Sequence, residues 1–122
     1  MTDAELWAVR KQFCDHILAH WAVLDGSEPD ADAANQHLRA AEQMVEQWTA
    51  QKTVRDTLLP LIEDDNPQIR WAAASYLLRN GATEAARTEL EGLANSDEIG
   101  LVASSAEAVL MSWEQEGRKP KA

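Results

Sequence analysis

Leu58-Leu59-Pro60-Leu61-Ile62-Glu63-Asp64-Asp65-Asn66-Pro67-Gln68-Ile69-Arg70-Trp71-Ala72-Ala73-Ala74-Ser75-Tyr76-Leu77-Leu78 holds two helical segments and the turn that joins them. The first segment, Val54 to Asp64, carries Leu58, Leu59, Leu61 and Ile62, and Pro60 inside it removes one amide donor, which predicts a bent or shortened helix. Asn66-Pro67 is a restart: an asparagine side chain accepts from the open amides of a first turn, and proline suits the first helical position. The second segment should run to Asn80 and stop at Gly81. Ile69, Ala72, Ala73, Tyr76 and Leu77 mark its core face, while Trp71 and Leu78 line another side with Ala74 and Ser75. A helix with two apolar sides is either central, here covered by the second or the sixth helix, or it exposes an aromatic patch to a partner.

The rest of the chain extends this pattern in both directions. Leu59 and Ile62 recur 31 residues later as Leu90 and Leu93, and Ile69, Ala73 and Leu77 recur 33 residues later as Val102, Ala106 and Leu110. That spacing predicts a second helical hairpin, with Thr83 capping one helix, Asn95-Ser96-Asp97 ending it, and a last helix from about Ile99 to Glu116 stopped by Gly117. Upstream, Thr2 and Glu5 form a capping box for a first helix reaching about Leu24. Its apolar arc holds Leu6, Val9, Phe13, Ile17, Trp21 and Leu24, widened by Trp7, Cys14 and Leu18. After the breaker-rich stretch Asp25 to Asp30, a second helix to about Lys52 places Ala34, Leu38, Ala41, Val45 and Trp48 inward and Arg39, Glu42, Gln43 and Glu46 outward. No segment alternates with the period of a strand. The expected fold is all-α: an α-α superhelix of about six helices in helical hairpins within one domain, 1–122. It divides into a long hairpin at 1–52, two repeat hairpins at 53–117 and a basic tail at 118–122.

The 122 residues carry 21 acids and 11 bases, a net charge of −10 shared as −5 over 1–52 and −5 over 53–122. A nucleic-acid binder needs clustered bases, and the three of Arg118, Lys119 and Lys121 are too few, so neither nucleic acid nor membrane is an expected partner. The lone Cys14 cannot form an internal disulfide, the first residues lack a secretory pattern, and a cytoplasmic location is expected.

The quoted stretch resembles a HEAT repeat: Leu-Leu-Pro-Leu, an acidic turn, then a hydrophobic residue and arginine followed by Ala-Ala and Leu. The resemblance implies that Asp64 or Asp65 and Arg70 stitch one hairpin to its neighbour. More narrowly, Asn66-Pro67-Gln68-Ile69-Arg70 with Ala72-Ala73, and Trp113, Gly117, Lys119 and Pro120 at the end, resembles a small bacterial family of HEAT-like domains of unknown function. That likeness covers most of 54–120, and Asn35 extends it. The chain departs from it at Leu101-Val102-Ala103-Ser104-Ser105-Ala106, where the family carries a Pro-Gln-Ala-Gly-like stretch, and the second repeat has Ala103 in the place of Arg70. The resemblance implies a fold and brings no activity with it.

The candidate chemistry is sparse. His16 and His20 stand four apart and could share a metal with Cys14 or Asp15, but the ligand set is incomplete and His20 falls inside the apolar arc. Cys14 lacks a positioned base, Asp25 to Asp32 lacks the spacing of a calcium loop, and Glu63, Asp64 and Asp65 read as a turn with a helix cap. Arg10 points into the apolar arc and is expected to find an acid on a neighbouring helix, or an anion. No catalytic, cofactor or metal residue is therefore assigned, and no enzyme activity is expected. The expected function is a protein-interaction module for a protein or peptide partner favoured to be basic, with Arg70, Trp71 and Leu78 nearest the contact surface. The alternatives are an immunity or antitoxin protein that neutralises a basic toxin, and a metal-dependent enzyme using His16 and His20.

Overall fold

The computed structural model describes residues 2–25, 30–80, 82–96 and 100–118. Among these residues six α-helices follow one another: α1 (Asp3–Asp25), α2 (Ala31–Ala50), α3 (Val54–Leu58), α4 (Pro67–Leu77), α5 (Thr83–Ala94) and α6 (Leu101–Arg118). A 3-10 helix, Leu59–Glu63, stands between α3 and α4, and there is no strand among the described residues. The all-α hairpin architecture read from the periodicity is the architecture observed. The stop at Gly81, the end of the Asn95–Asp97 cluster, the start at Ile99 and the tail beyond Arg118 lie outside the described residues.

Local chemistry accounts for most of the boundaries. Thr2 Oγ1 accepts from the Glu5 amide at 3.2 Å, and Asp30 accepts from the amides of Asp32 and Ala33 at the start of α2. The C-terminus of α2 closes through a reversed turn: Lys52 takes φ 62°, its amide bonds to Thr49, and the Thr53 amide bonds to Trp48. Pro60 acts as foreseen, since α3 ends at Leu58 and the chain tightens into the 3-10 helix, with Asp64 already extended. Asn66 caps α4 by accepting from the Gln68 amide at 2.8 Å.

Three boundaries differ from the expectation. The fourth helix ends at Leu77, not Asn80, because the Asn80 side chain and the amides of Asn80 and Ala82 satisfy its last carbonyls. Thr83 is not a cap: Ala82 holds that position, and the Thr83 hydroxyl donates back to Leu78. Gly117 does not stop α6, which continues to Arg118.

One core joins all six helices, from Phe13 and Ile17 through Trp48, Leu58 and Leu77 to Leu90 and Ala106. Helix α4 lies at its centre, packed against α1, α3, the 3-10 helix, α5 and α6. Ala72, Ala73 and Ala74 are fully buried, and such small side chains let neighbouring backbones approach on several sides of α4. Helix α1 is an edge helix, and this corrects the expected arc. Trp7 is 65 % exposed and Leu18 37 %, because the buried stripe of Phe13, Ile17, His20 and Trp21 covers only the side facing α2 and α4.

Candidate functional site

Leu78 is buried, and Trp71 keeps only an edge open to a small hollow between α2, α4 and α6. Trp71 is 9 % exposed and Leu78 1 %, so the expected contact surface of Arg70, Trp71 and Leu78 is corrected: its two apolar members belong to the core. The end of α1, which the expectation did not include, covers Trp71, while Leu38 of α2 and Val109 of α6 line a small hollow beside it. His20 stacks on Trp71 with centroids 6.4 Å apart and planes 7° off parallel, and Trp21 meets Trp71 edge-on at 5.2 Å. Such ring pairs contribute about 0.5–1.5 kcal/mol beyond their buried area.

Arg70 is occupied as well. Its Nη1 donates to the carbonyls of Asp64 at 2.7 Å and Asp65 at 3.1 Å, and its Nε stands 2.9 Å from a Glu89 carboxylate oxygen on α5. The arginine thus ties the turn before α4 to the next hairpin. It reaches the turn through backbone carbonyls, while the Asp64 carboxylate accepts from the Asn66 amide. Arg10 also departs from the expected ion pair. Its Nε and Nη2 donate to the carbonyls of Thr57 and Asp56, each at 2.9 Å.

The histidines do not gather around a common point. The His20 Nδ1–H donates to the Ala34 carbonyl at 2.8 Å, within a buried ring cluster. His16 instead faces His37 of α2, with ring centroids 6.3 Å apart. His16 and His20 thus have different neighbours, His37 for the first and Ala34, Trp21 and Trp71 for the second. Among the described residues no group of three or more His, Cys, Asp or Glu is placed to hold a metal. Cys14 is half-buried, and burial, with smaller contributions from Asp64 and Asp15, pushes its thiol up to about 11, away from the reactive thiolate.

What the fold does open is a groove between α2 and α4. Phe13 of α1 lies beneath it, in ring contact with Trp48 of α2 at 5.8 Å and with Tyr76 of α4 at 6.0 Å, so α1 holds the two walls apart. The widest part is a hollow of about 530 Å³ lined by Glu42, Val45, Glu46, Thr49, Ala50, Tyr76 and Asn80. Smaller hollows continue it, one past Leu38 and Arg39 and one past Trp71, Ser75 and Arg79 to Val109 of α6. Arg79 is already held by Glu116 of α6 through two hydrogen bonds of 3.0 and 3.1 Å. Burial, and then the Glu42 carboxylate, pushes the Tyr76 phenol above its ordinary range.

Nothing in the sequence marks Glu42, Glu46 or Tyr76 as site residues. Glu42 and Glu46 belong to the outward side of an amphipathic helix, as most glutamates do, and only the placement of α4 makes that side a wall. No helix among the described residues is long and apolar enough to cross a membrane. The family profile described as HEAT repeats matches residues 22–111, from within α1 to within α6. No curated protein and no solved structure matches the chain.

Proposed function

The chain belongs to the HEAT-repeat family, and from that premise we propose that it is a non-catalytic protein-interaction module whose partner is a basic protein or peptide. HEAT hairpins bury their inner sides against one another and present the remaining surface for binding, and HEAT repeats generally mediate protein–protein interaction. The observation that carries the reading is the groove between α2 and α4: an open, elongated trough with apolar residues in its walls and carboxylates at its rim. Such a trough suits an extended or helical polypeptide segment. The net charge of −10 favours a basic partner by steering its approach.

The test is affinity capture with the immobilised chain from native lysate, washed at about 100 mM and about 500 mM salt, where screening lengths differ roughly twofold. The expected result is a saturable protein of basic isoelectric point, retained at the lower salt and released at the higher. Retention only of acidic proteins, or of none that saturates, overturns the proposal.

A further inference from the structure

We infer that the hollow between Glu42, Glu46 and Tyr76 is a seat for an arginine side chain of a protein partner. The inference rests on the reading of the chain as a module for a basic partner, and adds where that partner is held and by which chemistry.

Thr49 Oγ1 donates its hydrogen to the Val45 carbonyl at 2.9 Å, and one Asn80 amide hydrogen goes to the Tyr76 carbonyl at 2.7 Å. Both side chains therefore keep an oxygen able to accept. The carboxylates of Glu42 and Glu46 make no ion pair among the described residues, and the Tyr76 hydroxyl makes no hydrogen bond among them. The hollow thus presents two anionic acceptors and several neutral ones, and its lining contains no base. A ligand that brings further acceptors would meet repulsion there; one that brings only donors is matched.

Arginine is that ligand among protein side chains. Its guanidinium has five N–H donors and no acceptor, stays charged at all working pH, and stacks on aromatic faces. Glu42 and Glu46 stand one helical turn apart on α2, roughly 6 Å between their Cβ atoms, a separation a planar fork can span while a single ammonium point charge reaches one side at a time. The lining also has apolar surface for the aliphatic stem, at Val45, Ala50 and the Tyr76 ring. The neighbouring bases define the limits of the seat. Arg79 is neutralised by Glu116, and Arg39 lies in the adjoining hollow, where it repels a second cation. The seat therefore selects one arginine within a segment, not a run of them.

The experiment is a titration of the ¹⁵N-labelled full chain, followed by amide chemical shifts, with the peptide acetyl-Ala-Arg-Leu-amide and with the same peptide carrying citrulline, the neutral isostere of arginine. Expected are saturable shifts at Glu42, Glu46, Thr49, Tyr76 and Asn80 with the arginine peptide, and affinity at least about tenfold weaker with citrulline. The double variant Glu42→Gln with Glu46→Gln should weaken the arginine peptide by about tenfold or more while keeping the wild-type thermal transition. Glu107→Gln with Glu114→Gln, which changes the net charge equally on exposed positions of α6, should change it by less than about threefold. Equal losses in the two double variants, or shifts scattered over the acidic surface, overturn the seat, as does equal binding of the citrulline peptide. A captured basic partner that binds Glu42→Gln/Glu46→Gln as well as wild type removes the seat and leaves the interaction module standing. Failure of wild type to retain any basic partner removes the module reading itself.

Discussion

The Arg10 guanidinium donates to the carbonyl of Thr57, 47 residues away, at 2.9 Å, and a second arm of the same group reaches the Asp56 carbonyl at the same distance. Both acceptors are open because of Pro60. In a continuous α-helix the Asp56 carbonyl would receive the amide of residue 60, which proline lacks, and the Thr57 carbonyl would receive that of Leu61, which the 3-10 winding directs one residue nearer. An arginine from the edge helix thus terminates α3 and joins the N-terminal hairpin to the first repeat hairpin.

This arrangement predicts coupling between positions 10 and 60. Arg10→Met keeps the stem and loses two charge-assisted bonds, for an expected loss of about 1.5–3 kcal/mol. In a Pro60→Ala background the new amide can serve Asp56, and the cost of Arg10→Met should fall. Urea denaturation of the four proteins measures it, and an unchanged cost in the two backgrounds refutes the account.

Trp71 is a core residue, so Trp71→Ala should act on stability. Removing so large a buried ring costs about 3–5 kcal/mol, a large fraction of the stability of a small domain. His20→Ala, which removes the ring stacked on Trp71 and the donor to Ala34, should cost about 2 kcal/mol or more. Thermal unfolding by circular dichroism reads both. A Trp71→Ala chain that melts with the wild type would place the indole outside the core.

Lys52 adopts a left-handed conformation, φ 62°, at the position after the α2 cap where glycine is unstrained. Lys52→Gly should stabilise the chain by about 1 kcal/mol, and Lys52→Val should destabilise it, because a branched Cβ tolerates that conformation least. The order of the three urea midpoints is the check.

Alkaline pH should destabilise the fold through Cys14 and Tyr76. The Cys14 thiol rises from 9.0 to about 11 on folding, so well below pH 9 it is almost wholly protonated in both states and has little effect on stability. Between about 9 and about 11 the unfolded chain binds fewer protons than the native one, and stability falls as pH rises. Tyr76, raised from 10.0 by burial and by Glu42, acts in the same direction at higher pH. Urea midpoints measured through this range should decline less steeply in Cys14→Ala. At about pH 8 the native thiol should also react with iodoacetamide far more slowly than the unfolded one.

Legibility from sequence followed the range of the forces involved. The Asn66-Pro67 start, the break at Pro60 and the cap at Thr2 depend on side chains within a few residues, and these were readable. The cap assigned to Thr83 failed for a related reason: a hydroxyl one position too late finds the Leu78 carbonyl before it finds an amide. Trp7 and Leu18 were misplaced because an apolar residue states a preference for burial without stating whether a neighbour exists to provide it.

Read alone, the chain determined its helices, their pairing into hairpins and the presence of two apolar sides on the segment after Pro67, because helical period and capping chemistry act over three or four residues. Only the tertiary structure decided that the end of α1 covers Trp71, that His16 faces His37 while His20 turns into the core, and that Glu42 and Glu46 look across at Tyr76. Those outcomes depend on which helix stands beside which, a choice made by the packing of one shared core around Phe13 and α4, and a groove has no residues of its own until both its walls are in place.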